Sequence, residues 1–372
     1  SENYSLRRIA AEIWGRIGEK QKDFAVHNLS QIAQTYGGRP IDRVLEHSIT
    51  YALIEIHDPK TTSEFLTNSP AHQRIGLIAL DQMENGNLKP EQVAPHLLST
   101  NAALKETASW IVSHHPEWGD ALTGFFRDAL AKKEISEKEK SLLNTQLAQL
   151  ASNSSIQELL ATTLQSGLKK SQHIALGAMA QSGIKPTPAS WSVGVLKILE
   201  SGEKEFVPEA IAVARAGGAT KENSAPLTAA LLKIANDKTQ PDELRLNALA
   251  ASPGAPELNA ELFDFLRANL DSTKSVITRG NATALLARAK LNQEQLLQMI
   301  ESLKNAGPME AMKLMNVFEK STNEIVGVKL ATELKEAKTF KTMRVERLKP
   351  LFAKYPTNVQ AEAEKLYPLL NA

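Results

Sequence analysis

The densest grouping of chemically able side chains in this 372-residue chain is Ser113-His114-His115-Pro116-Glu117-Trp118-Gly119-Asp120. Two imidazoles and two carboxylates this close together could offer a divalent metal three ligands, and the candidate set is His114, His115 and Glu117. Successive residues on a helix project about 100° apart, however, which sets the two adjacent rings against chelating one ion. Pro116 and Gly119 carry the signals of a helix stop, and Trp118 those of a packing anchor. The favoured reading is therefore a helix C-terminus, where His is electrostatically welcome, running into a structured turn, with no metal bound. The eight histidines all precede residue 174. Of these, His72 and His173 stand where Arg opens other helices of the chain, and both are read as solvated.

Other chemistries find little to work with. Zero Cys removes disulfides, zinc–thiolate sites, iron–sulfur clusters, covalent c-type haem and cysteine nucleophiles together. No G-x-S-x-G, H-E-x-x-H, G-x-G-x-x-G or phosphate-loop pattern occurs. Glu203 and Glu205 flank Lys204 as on a solvated face, and Gly217-Gly218 ends a helix more plausibly than it cradles a phosphate. The expectation is no catalytic residue and no cofactor. The most basic stretch runs from Lys335 to Lys354, and from it Lys338, Lys341, Arg344 and Arg347 are the candidate interaction residues. Only Phe340 and Phe352 interleave as aromatics before Tyr355, and no matching basic stripe lies elsewhere. A docking face for protein is preferred over a nucleic-acid grip. Met309, Met312 and Met315, at i, i+3 and i+6, are read as core filling.

The elements that must position these residues are helices. Ala and Leu make up a quarter of the chain and aromatics only 5%, a bias towards helix and away from sandwiches or barrels. The segment LRRIAAEIWGRIG at 6–18 places Leu6, Ile9, Ala10, Ile13, Trp14 and Ile17 on one helical stripe. The same grammar returns at 73–83, 104–112, 171–183, 244–254 and 278–291. One small residue centres each copy: Ala10, Gly76, Ala108, Ala175, Ala248 and Ala282. The gaps between them are 66, 32, 67, 73 and 34 residues, near one or two multiples of a common period. Weaker copies near Ser48, Leu143 and Ala212 fill the double gaps. Close helix packing needs a small side chain at the crossing, which explains the recurring Ala or Gly. Prolines at 59, 70, 90, 186, 241 and 308 mark helix starts or loops, and Ser136-x-x-Glu139 reads as a capping box.

These features predict an all-α fold: an α-solenoid of roughly ten HEAT-like helical pairs forming an α-α superhelix, as one array over 1–372. Tetratricopeptide and ankyrin signatures are not met. Lys and Arg number 43 against 42 Asp and Glu, so no net field attracts nucleic acid or an anionic membrane. No apolar run approaches a membrane span.

RRIAAEIWGRIG, RVLEHSITYALIEIHDP, IALDQMENGNL and SWIVSHHPEWGD, in that order, resemble the HEAT-repeat region of large secreted proteins of planctomycetes and related bacteria. The likeness extends through Pro350-Leu351-Phe352-Ala353-Lys354-Tyr355-Pro356 to a last helix ending at Ala372. In that family the region sits between a β-propeller of membrane-bound dehydrogenase type and a c-type cytochrome. The resemblance implies an excised or processed segment of a larger extracytoplasmic redox protein, although a cytoplasmic location also fits. No C-x-x-C-H occurs here, so no haem-ligating or catalytic position is carried over. The expected role is a non-catalytic scaffold whose partners are flanking domains or another protein chain. The alternatives are a free-standing peptide- or protein-binding solenoid, with exposed aromatic or Met residues in a groove, and a HEAT-repeat enzyme or DNA binder. The last would need an acid combined with Trp110, Trp118 or Trp191 in a pocket, or a continuous basic stripe.

Overall fold

In the computed structural model the described residues are 3–34, 41–255 and 257–370, so the end of the helix expected to reach Ala372 lies outside them. Every regular element among these residues is a helix, and the only β-type pairing is an isolated bridge between Glu257 and Lys290. The chain divides into two compact units, residues 1–184 and 185–372.

The first unit contains α1 (Tyr4–Ile17), α2 (Lys22–Ala33), α3 (Arg43–Ile56), α4 (Pro59–Thr62), α5 (Pro70–Gln82), α6 (Pro90–Val93), α7 (Ala102–His114), α8 (Gly119–Leu130), α9 (Glu137–Leu150), α10 (Ser154–Thr163) and α11 (Lys169–Gln181). Odd-numbered helices pack in succession, α1 on α3 and so on to α9 on α11. Even-numbered ones form the opposite layer, with α2 against α4, α6 against α8, and α8 against α10. The second unit contains α12 (Ala189–Ser201), α13 (Val207–Gly217), α14 (Ser224–Asn236), α15 (Asp242–Ala251), α16 (Ala260–Ala268), α17 (Val276–Arg288), α18 (Gln293–Asn305), α19 (Pro308–Leu314), α20 (Glu324–Glu333), α21 (Val345–Phe352), α22 (Thr357–Glu364) and α23 (Tyr367–Leu370). Here α13, α15, α17 and α19 follow one another in one layer. In the other, α12 meets α14, α14 meets α16, α18 meets α20 and α20 meets α22. Each unit thus shows the sequential neighbour packing of a helical solenoid.

Local chemistry sets the helix starts. Pro59, Pro70, Pro90 and Pro308 each occupy the first helical turn, where a missing N–H costs nothing. At α9, Ser136 Oγ accepts from the Glu139 amide at 3.3 Å, and Glu139 Oε2 accepts from the Ser136 amide at 3.0 Å, completing the expected capping box. The small central residues also do what their size suggests. Gly76, Ala108, Ala175, Ala248 and Ala282 are all buried. A Cβ added to Gly76 would lie 2.7 Å from Phe65 Cβ, so the approach to the turn after α4 depends on the glycine.

The copy on α1 departs from this pattern. Leu6, Ile9, Ile13 and Ile17 face solvent, with Ile9 47% and Ile17 58% exposed, and Ala10 is half-exposed. The buried face is the small one: Ala11 and Gly15 lie against α3, where a Gly15 Cβ would fall 3.1 Å from Ala52 Cα. Close backbone approach selects small residues, so the apolar stripe points outward. Ala212 is exposed as well, and Ala210, Ile211, Val213 and Ala214 supply the buried face of α13.

Polar ties stitch neighbouring pairs at the same interval as the repeat. Arg74 Nε donates to Thr107 Oγ1 at 2.9 Å, 33 residues away. Gln146 Nε2 donates to Ser109 Oγ at 3.0 Å across 37 residues, and Gln295 Nε2 to the Leu258 carbonyl at 3.0 Å, again across 37. Tyr355 Oη donates to the Phe318 carbonyl at 2.9 Å over 37 residues. Each satisfies a group that burial would otherwise leave unpaired.

Candidate functional site

Residues 113–120 form a clamp. His115 caps α7, and Pro116–Trp118 make one 3-10 turn before Gly119 opens α8. Gly119 therefore starts a helix, where the sequence suggested a stop. The Nε2 of His115 reaches Asp81 Oδ1 at 2.8 Å and its Nδ1 reaches Glu117 Oε1 at 2.6 Å. Carboxylates only accept, so a ring donating from both nitrogens is the imidazolium. The ring also stacks on Trp118, with centroids 4.1 Å apart and planes 9° from parallel. Burial lowers the His115 pKa, but the hydrogen bonds and charges of Glu117 and Asp81 outweigh it and the net shift is upward. Burial would raise the Glu117 carboxyl, yet the His115 hydrogen bond and charge, with its own backbone amide, hold it below its ordinary value. Asp81, its side chain only 2% exposed, sits in the last turn of α5, where the helix dipole is negative, and the imidazolium compensates both.

This geometry places the three candidate metal ligands apart in function. Both His115 nitrogens are held by carboxylates, and His114 Nδ1 donates to the Trp110 carbonyl at 2.7 Å. No group of three or more His, Asp or Glu among the described residues is arranged to hold a metal ion. Far from solvated, His72 is 5% exposed: Nδ1 meets Ser69 Oγ at 2.8 Å and Nε2 meets the Ser30 carbonyl at 2.9 Å. That partner lies 42 residues away, beyond the reach of a local pattern. The three tryptophans diverge, with Trp191 1% exposed in α12, Trp110 41% exposed and Trp118 on the His115 ring.

The second candidate lies in the second unit. A cavity of about 550 Å³ opens between α19 with its following turn and α21. Arg344 and Arg347 line it, together with Lys313 from α19 and the side chains of Met312, Met315 and Met343. In its wall Thr339 is buried and its hydroxyl has no hydrogen-bond partner. Two of the four sequence candidates are thus brought to one site. Lys341 Nζ instead reaches the Leu369 carbonyl at 3.4 Å, and Lys338 is exposed, with its backbone amide donating to the Lys304 carbonyl. The methionines do not fill the core: Met309 is 74% and Met312 65% exposed, and Met315 is half-buried at the cavity. Their i, i+3, i+6 spacing follows a helix face. That face opens on a cleft because α21 stands off from it.

No family model and no curated protein matches the chain. Its site geometry is therefore the ground for a functional reading. No helix among the described residues is long and apolar enough to cross a membrane.

Proposed function

We propose that the chain is a non-catalytic protein-interaction scaffold built of stacked helical pairs. The observation that carries this reading is the outward face of α1. Tyr4, Leu6, Ile9, Ile13 and Ile17, with Phe24 of α2, turn a stripe of large apolar side chains to solvent, each between 43% and 58% exposed. Stacked helical arrays bury such stripes against the next packed element, and contiguous apolar surface on a water-facing protein marks a contact. The His115 clamp supports a structural role for the most chemistry-rich cluster, since its imidazole is committed to two carboxylates.

In its more specific form the scaffold is the extracytoplasmic linker of the resemblance, a HEAT-repeat region holding a dehydrogenase-type module against a c-type cytochrome. Intact-mass spectrometry of the native protein, with its visible spectrum, tests that form. A mass far above the 40.6 kDa of this chain, with haem absorbance, is the expected result. A native mass near 40.6 kDa without haem would refute the redox linker and leave a free-standing binding solenoid. The exposed methionines beside the α19–α21 cavity favour that second reading.

A further inference from the structure

We propose that the cleft between α19 and α21 docks an acidic amphipathic segment of another protein, one with large apolar side chains flanked by Asp or Glu. The inference rests on the protein-interaction reading above and supplies the partner's chemistry. Ala311, Leu348 and Leu351 are buried and Met315 and Met343 half-buried around a space of about 550 Å³, enough for one or two large side chains. Thioether side chains adapt to varied apolar shapes, so a methionine lining suits a side-chain anchor.

Charge selects the flanks. Lys313, Arg344 and Arg347 line the cleft against the single acid Glu319, and none of the three cations is paired with a carboxylate among the described residues. Unpaired cations around an apolar space complement an anionic partner and steer its approach. The apolar surface also extends past the cavity. Arg279 Nε bonds Glu310 Oε1 at 3.2 Å, which sets the first turn of α17 beside that of α19. Val276 and Ile277 on that turn are 70% and 74% exposed, like Met309 and Met312 on its neighbour. A polypeptide segment supplies both large apolar side chains for the cleft and several carboxylates for its three cations, where a lone acyl carboxylate brings a single charge.

The test starts with the full chain immobilised and panned against phage-displayed random peptides of about 12 residues. The enriched peptide, labelled with fluorescein, is then titrated by anisotropy against wild type, the double variant Arg344→Glu/Arg347→Glu, and Met312→Asp. All three positions are exposed, and circular dichroism verifies that each variant folds. The expected peptides carry Leu, Ile, Phe or Trp between Asp or Glu, and each variant weakens binding by about tenfold or more. Absence of enrichment, a consensus without acidic residues, or affinities indifferent to both variants would overturn the proposal. So would dodecanoate protecting Met312 from oxidation where no peptide binds. None of these outcomes bears on the native mass, so the cleft and the redox linker can fail separately.

Discussion

Removing the proton from His115 is the sharpest perturbation the structure offers. Folding raises the His115 pKa above its ordinary 6.5, so its stabilisation is complete below that value and disappears as pH climbs through the folded value. Glu117 has the opposite sense: depressed on folding, it contributes fully above its ordinary 4.5 and is lost as pH falls through the folded value. The clamp should therefore be strongest between about pH 4.5 and about pH 6.5. The neutral ring keeps one N–H, so deprotonation removes one of two bonds and the attraction to both carboxylates. Asp81 is almost fully buried, and hydrogen bonds to such charged groups contribute about 1.5–3 kcal/mol. The Glu117 carboxylate is 62% exposed, and its share is discounted to about 0.2–1 kcal/mol. Losing the weaker bond and part of the Asp81 attraction gives about 1–2 kcal/mol. Urea unfolding of wild type and His115→Ala at about pH 5.5 and about pH 8.5 reads this directly, since groups common to both cancel in the difference. A wild-type advantage that is flat across that range would refute the reasoning. So would an NMR titration placing the His115 midpoint at or below 6.5.

Two glycines make a paired expectation. Gly76→Ala gains about 1 kcal/mol of helix propensity but forces a Cβ within 2.7 Å of Phe65 Cβ, and the overpacking of about 1–3 kcal/mol makes the variant less stable by urea midpoint. Gly124→Ala, with nothing within 4 Å of the new Cβ, should raise the unfolding free energy by about 0.5–1 kcal/mol, and the urea midpoint with it. Tyr355→Phe strands the Phe318 carbonyl and should cost about 1–2 kcal/mol in the same assay. Ile9→Glu on the outward face of α1 should change stability by no more than about 0.5 kcal/mol, whereas Ile49→Ala in the core of the first unit should cost about 2–5 kcal/mol.

Helix starts were legible in the chain because their causes are local: a proline at the first turn and a Ser-x-x-Glu box act within a few residues, and Pro70 and Ser136 sit where those rules put them. Five of the six small central residues, Ala175 among them, were legible because their spacing recurs, and they are buried. Which side of α1 packs was not legible. Periodicity finds an amphipathic helix, but in α1 the intrachain contact selects Ala11 and Gly15, leaving Ile9 and Ile13 outside. His72 needed its Ser30 partner, and His115 needed Asp81 from the end of α5. The cleft is a similar case. Arg344 and Arg347 stand out as charges, but the space beside them exists only because α19 and α21 face each other across it.

Four of the ties between successive pairs, from Arg74–Thr107 to Tyr355–Phe318, span 33 to 37 residues. Loop-closure entropy grows only slowly with length, so the loops these ties close carry similar entropic cost, and growth within a unit resembles a zipper adding comparable teeth. Pulled from its ends, such a unit should yield pair by pair rather than all at once. Each event would release roughly 33 residues, on the order of 110 Å of extended chain. A stack of this kind behaves as a stepped extensible tether, whose reach is set by how many pairs are closed.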